Sequence, residues 1–158
     1  MFKKKSIGTV WLVIIASVIF LAFAVLKIFT DHLPEAYVKI ADKDLYVMVA
    51  DTPSRWFKGL SGRKNMGIYD GMLFVFPDAS RRAMVMRDMI FPLDVVWITD
   101  SKVVDLKQNL MPEKDKDEAS LTHYLPSEPS DVVLELPAGF VERSGIKVGD
   151  DVKVDMRH

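Results

Sequence analysis

The chain begins with one long apolar stretch and continues as short apolar runs separated by polar turns. Residues 6–26 contain no charged side chain, and a helix of that length crosses the ~30 Å apolar core of a bilayer. Three lysines precede the stretch at positions 3–5, whereas Lys27 alone follows it closely. This basic excess predicts a single-pass cell-membrane protein with a cytoplasmic N-terminus and the domain outside. Alternatively, a signal peptide is cleaved after Ala24 and the exported domain is released.

Beyond residue 36 the apolar pattern becomes that of short β-strands. The runs are rich in Val, Ile and Tyr, and several alternate with polar residues at period two. Turn-like Asp, Lys and Ser residues separate two pairs of runs, which predicts hairpins at 37–50 and 94–108. The pattern predicts about eight strands, at residues 37–40, 45–50, 72–76, 82–86, 94–99, 102–108, 132–136 and 152–156.

Two short helices are predicted where proline and glycine bracket a segment. Pro53 suits the first turn of a helix at 53–58 that ends at Gly59 and directs Trp56 and Leu60 towards the core. A proline and a glycine bracket the second helix in the same way, at residues 138–144.

These elements predict a mainly β (α+β) fold. We expect a mostly antiparallel sheet, curled or barrel-like, with two short helices at its rim and one transmembrane helix before it. The predicted organisation is an anchor at 1–29, a linker at 30–36 and an extracytoplasmic β-rich domain at 37–158. A loop at 110–130, with three prolines and a run of charges, is expected to be solvated.

Composition excludes several kinds of site and partner. The chain has no cysteine, so it forms no disulfide and no thiolate metal site. Beyond residue 29, seventeen Lys and Arg face 22 Asp and Glu, which gives a net charge of −5. An acidic domain of this kind is a poor partner for nucleic acid, and we expect none. No cofactor is predicted either.

The segment between two strand signals carries the predicted binding residues. Pro92 removes a backbone donor where a sheet ladder would use one, which is typical of a bulge or rim. We therefore predict a ligand-binding site formed by Arg63, Asp88, Pro92 and Asp94. The Asp94 carboxylate is expected at the rim rather than deep in the core, with Arg63 as the nearest cation.

Three functions are compatible with these residues. The first is a non-catalytic module of the cell envelope that binds a small ligand or an envelope protein. The second is a hydrolase- or lyase-like envelope enzyme that uses Asp88, Asp94 and Arg63, since paired carboxylates perform acid–base chemistry. The third is a Cu(I)-binding envelope protein, because thioethers such as those of Met84, Met86 and Met89 are soft ligands that select Cu(I). Methionine is also an ordinary core residue, so packing is the alternative to copper.

The domain also resembles the domain of unknown function 192 family, known too as uncharacterised protein family 0127. That family usually reads Phe-Trp-Met-Lys-Asn-Thr where this chain has Met84-Val-Met-Arg-Asp-Met89. The resemblance implies a compact, mostly β, often exported domain and supplies no established activity. The motifs that carry it stand in the family's order: Val49-Ala-Asp-Thr-Pro53, Gly59-Leu-Ser-Gly-Arg63, Gly71-Met-Leu-Phe-Val-Phe76, Met86 with Pro92-Leu-Asp94, Val133-Leu-Glu-Leu-Pro-Ala-Gly139 and Gly145-Ile-Lys-Val-Gly-Asp150.

Overall fold

A computed structural model describes residues 7–31 and 33–157. Contacts divide the chain after Leu33 into two units. The first contains helix α1, Ile7–Asp31. Over the residues that the structure describes, no helix is long and apolar enough to cross a membrane. The predicted crossing at 6–26 is therefore not supported, and the lysines at 3–5 and Ser6 lie outside the described residues.

The second unit, from Pro34 onwards, is built on one seven-stranded sheet. Two short α-helices and one 3₁₀ helix accompany it. The strands are β1 Glu35–Ile40, β2 Lys43–Ala50, β3 Gly71–Ser80, β4 Leu93–Thr99, β5 Lys102–Leu110, β6 Ser130–Pro137 and β7 Val152–Arg157, and the helices are α2 Pro53–Lys58, the 3₁₀ helix Glu118–Ser120 and α3 Phe140–Ser144.

The strands follow the order β5-β4-β6-β3-β2-β1-β7. Among the described strands, β2 and β3 are the only parallel pair; the other neighbours are antiparallel, and β1 and β7 pair with Glu35 opposite Arg157. The two edge strands approach each other at one end, where the Val103 N–H donates to the Asp150 carbonyl at 3.0 Å and the Val103 carbonyl accepts from the Gly149 N–H at 2.8 Å. The sheet is thus curled but not a closed barrel. The predicted mainly β, mostly antiparallel fold and both hairpins are confirmed.

Several predicted elements differ from the structure. The run at 82–86 is not a strand: Met84 makes one isolated bridge to Tyr124, and no ladder extends from it. This segment makes side-chain contacts in place of a ladder: the Arg82 guanidinium donates to the Asp78 carbonyl at 2.6 Å. The 3₁₀ helix lies inside the loop predicted at 110–130, and β1 begins inside the predicted linker at 30–36.

The sheet buries apolar side chains on both faces. Alternation along β6 places Leu134 and Leu136 in an aliphatic core cluster, so Val133 and Glu135 face the other way. Five methionines of the described chain are buried outside that cluster. They are Met48, Met66, Met72, Met86 and Met89.

Candidate functional site

A cavity of about 390 Å³ is formed where β3 and β6 meet the segments outside the sheet. Its walls come from the end of α2 and the turn after it, from the segment between β3 and β4, and from the 110–130 loop. The side chains that line it include Trp56, Phe57, Phe74, Met84, Arg87, Met89, Glu118, His123 and Glu135. Pockets of this size accommodate small molecules.

Glu135 is the buried ionisable residue of this cavity. It is 4% exposed, and its neighbours across the ladder are Met72 on β3 and Val95 on β4, both apolar. Within the described chain, no residue donates a hydrogen bond to its carboxyl group or forms an ion pair with it. Burial raises the pKa of Glu135 to about 8, because an apolar environment disfavours the charged form. At neutral pH the cavity therefore holds a mostly protonated carboxyl with unused hydrogen-bonding capacity.

Arg87 joins three segments at the mouth of the cavity. Its guanidinium donates to the Phe57 carbonyl at 2.8 Å and to Glu118 through both carboxylate oxygens, with the Nε contact at 2.6 Å. It also lies 4.0 Å from the centroid of the Phe57 ring. The hydrogen bond from Arg87 lowers the pKa of Glu118. This two-pronged pair leaves the charge of Arg87 largely neutralised.

Aromatic and thioether groups make up much of the remaining wall. The indole N–H of Trp56 donates to the carbonyls of Ala50 at 3.0 Å and Val75 at 3.1 Å, which fixes the ring. Trp56 also contacts the ring of Phe76, with centroids 5.0 Å apart. A wall of this kind suits an apolar ligand body. The prediction that Leu60 packs in the core is confirmed, whereas Trp56 is only half-buried.

Asp94, predicted as a binding residue, lies fully buried at the start of β4. One carboxylate oxygen accepts the Asn109 N–H at 2.8 Å, and the other accepts the Val141 N–H at 2.9 Å in the first turn of α3. The expectation that this carboxylate lies at the rim is wrong. The structure gives it a fastening role instead, because it holds β5 and α3 to β4.

The other predicted binding residues lie outside the lining of the cavity. Asp88 is exposed, with φ of 50°, and its carbonyl accepts the Gly62 N–H at 3.0 Å. Pro92 accepts the Ala138 N–H at 3.2 Å. Among the described residues, no ion pair joins Arg63 to Asp94. Ligand binding by these residues stays a prediction.

A second polar cluster lies at the start of β1. Glu35 accepts hydrogen bonds from the hydroxyls of Tyr46 and Tyr69, the latter at 2.6 Å. This bond raises the pKa of Tyr69 to about 12, and the charge of Arg63 opposes the shift slightly. The cluster attaches the loop before β3 to the first hairpin, which is a structural role.

The methionines proposed for copper do not share one environment. Met84 and Met89 line the cavity, but Met86 is 1% exposed and does not. The structure also contains, among its described residues, no group of three His, Asp or Glu side chains that could hold a metal ion. Core packing accounts for Met86.

Sequence reasoning missed Glu135, the residue with the most unusual environment. The signal was present: Glu135 is the one charged residue inside the apolar run 132–136, which was predicted to be a strand. A charged side chain in such a run is either exposed or unusually buried. Only the position of β6 between β3 and β4 decides between these outcomes.

Comparisons with known proteins agree with this fold. A crystal structure of a "putative transcription regulator" from Sinorhizobium meliloti 1021 matches with a TM-score of 0.66 and 30% identity, over 78% of this chain and 94% of that one. A protein of unknown function from Novosphingobium aromaticivorans DSM 12444 matches with a TM-score of 0.64 and 27% identity, over 75% and 83%. No curated protein matches the sequence. The family model DUF192, "Uncharacterized ACR", matches residues 36–154, and the chain belongs to this family.

Proposed function

We propose that the domain is a non-catalytic binding module whose small-molecule ligand occupies the cavity beside Glu135. The observation that carries this proposal is a buried carboxyl that no described residue pairs with or donates a hydrogen bond to. Leaving such a group unpaired costs free energy, and a ligand that hydrogen-bonds to it recovers part of that cost. The ligand would combine an apolar body with one polar group.

The walls of the cavity are held in place by protein contacts, which pre-organises the site for binding. The indole of Trp56 and the Arg87–Glu118 pair are already held by protein contacts. A raised carboxyl pKa also suits a general acid. Ser61 also lines the cavity and is a candidate nucleophile. However, its hydroxyl donates to the Arg87 carbonyl at 2.8 Å, so it is not paired with a base as a nucleophile would be.

A nucleic-acid ligand fits this chain poorly. The described similarity to a "putative transcription regulator" raises that possibility. Yet the region beyond residue 29 carries a net charge of −5, whereas affinity for nucleic acid depends on cationic contacts to phosphate. We therefore propose a small molecule.

We propose further that the module works outside the cytoplasm, tethered to the cell membrane by residues 6–26. The support is the uncharged sequence there and the lysines at 3–5. A reporter that is active only outside the cytoplasm, fused after His158, should be active. Activity of a cytoplasm-only reporter at the same position would contradict this topology.

The binding site is tested by mapping fragments on the full-length chain. Benzyl alcohol, benzamide, benzylamine and benzoate each join an aromatic ring to one polar group. We expect at least one to shift the NMR signal of the Trp56 indole N–H, and Glu135→Gln to weaken its binding. The matched control Glu128→Gln, at an exposed position, should leave that affinity unchanged. Shifts confined to other surfaces, or no shifts with any fragment, would refute the site.

A further inference from the structure

We propose that the ligand of this cavity is an organic cation whose ammonium group pairs with the carboxylate of Glu135. This inference rests on the proposed function and narrows it to a chemical class. Glu135 lines the cavity, is buried, and receives neither a hydrogen bond nor a counter-charge from the described chain. An ammonium group supplies a counter-charge and three donors together.

The groups around Glu135 leave room for such a counter-charge. Its ladder neighbours, Met72 and Val95, are apolar. The ionisable side chains that share the cavity are Lys58 of α2, Arg87, Glu118 of the 3₁₀ helix and His123. None of these side chains contributes to the raised pKa of Glu135, which arises from burial alone. Because no described residue supplies a charge that pairs with this carboxylate, we assign that charge to the ligand.

The aromatic lining favours a cation as well. Trp56, Phe57 and Phe74 line the cavity, and aromatic faces attract cations, more strongly when water is excluded. The protein already uses this interaction at the same cavity, because the Arg87 guanidinium lies over the Phe57 ring at 4.0 Å. Glu118 pairs with Arg87, so the repulsion between Arg87 and a bound cation is reduced.

Pairing with an ammonium makes binding depend on pH in a definite direction. The cation binds the ionised carboxylate, and the apparent affinity falls with the fraction of protein in that form. With the pKa of Glu135 at about 8, the affinity should rise about 50-fold from about pH 6 to about pH 8 and level off above. A neutral ligand that accepts a hydrogen bond would instead bind the protonated carboxyl of Glu135, so its affinity would fall above about pH 8.

The experiment is calorimetric titration of the full-length chain with three matched probes: 2-phenylethylamine, 2-phenylethanol and 3-phenylpropanoate. We expect the amine to bind most tightly, with affinity rising with pH. At neutral pH its binding should release close to one proton from Glu135 to the buffer, measured from the dependence of the heat on buffer ionisation. Glu135→Gln should abolish both the pH dependence and the proton release. The matched control Glu128→Gln, at an exposed position outside the cavity, should keep both.

The outcomes distinguish this inference from the function it rests on. If the alcohol or the carboxylate binds as tightly as the amine and binding still requires Glu135, the cavity is a binding site and the cation assignment is wrong. If amine affinity falls or stays constant as pH rises, the pairing with Glu135 is refuted. If no probe binds, both proposals fail. The pH series on the parent protein gives this answer even if Glu135→Gln does not fold.

Discussion

Replacing Asp94 by Asn should destabilise the domain without changing the shape of the side chain. The carboxylate is fully buried and accepts two backbone N–H bonds, from Asn109 at 2.8 Å and from Val141 at 2.9 Å. Asn keeps one acceptor and turns an NH₂ group towards the other donor. Val141 is 1% exposed, so water would not satisfy its N–H if that bond were lost. An orphaned buried donor costs ~1–3 kcal/mol, and the loss of a charge-assisted bond lies in the same range. We expect a loss of about 2 kcal/mol.

Urea unfolding followed by tryptophan fluorescence measures this loss. Trp97 is 0% exposed, so its emission should shift to longer wavelength as the domain unfolds. Asp100→Asn is a matched control at an exposed turn residue with φ of 49°, a conformation that Asn tolerates. It should change the free energy of unfolding by less than ~0.5 kcal/mol. If Asp94→Asn is equally neutral, the fastening role of Asp94 is refuted and its role in binding becomes the better explanation.

Three further results are expected. The free energy of unfolding of Glu135→Gln should equal that of the parent at low pH, and it should exceed the parent's by a growing amount between about pH 4.5 and about pH 8. The raised folded-state pKa makes the parent lose stability as pH rises through this window. A stability difference between variant and parent that stays constant across the window would contradict the prediction. Gly71→Ala should cost ~1–3 kcal/mol in urea unfolding, because a Cβ there would lie 2.3 Å from the Glu135 carbonyl; an unchanged midpoint would show that β3 and β6 separate easily. The fragment from Pro34 onwards should unfold in one cooperative thermal transition with β-type circular dichroism, and a soluble fragment without such a transition would show that α1 is needed for folding.

The local sequence pattern correctly predicted the two hairpins and helix α2. Alternating apolar residues located both hairpins, and the pair Pro53 and Gly59 marked the ends of α2. The run at 82–86 has the same alternation, but a strand requires a partner along its length. Met84 has a bridge only to Tyr124, forty residues away in sequence. No feature of the run itself indicates that its neighbours find other contacts.

The candidate site was harder to predict, because its chemistry depends on residues distant in sequence. Asp94 follows Pro92 and opens an apolar strand, which suggested an exposed rim. Its buried carboxylate instead accepts hydrogen bonds from the N–H groups of Asn109 and Val141, which lie 15 and 47 residues later in the chain. Glu135 was visible as a charge in an apolar run, but its isolation results from Met72 and Val95 on the two adjacent strands. Sequence therefore indicated the residue types and could not assign their environments.

The pairing of the first and last strands has a mechanical consequence. Glu35 at the start of β1 lies opposite Arg157 at the end of β7, so the two ends of the domain emerge side by side. A force that pulls these ends apart loads the β1–β7 ladder one hydrogen-bonded pair at a time, because the bonds of an antiparallel ladder lie perpendicular to the strands. The domain should therefore unzip at low force from this edge. The same proximity suits circular permutation: a short linker could join the present ends, with new ends opened in the 110–130 loop.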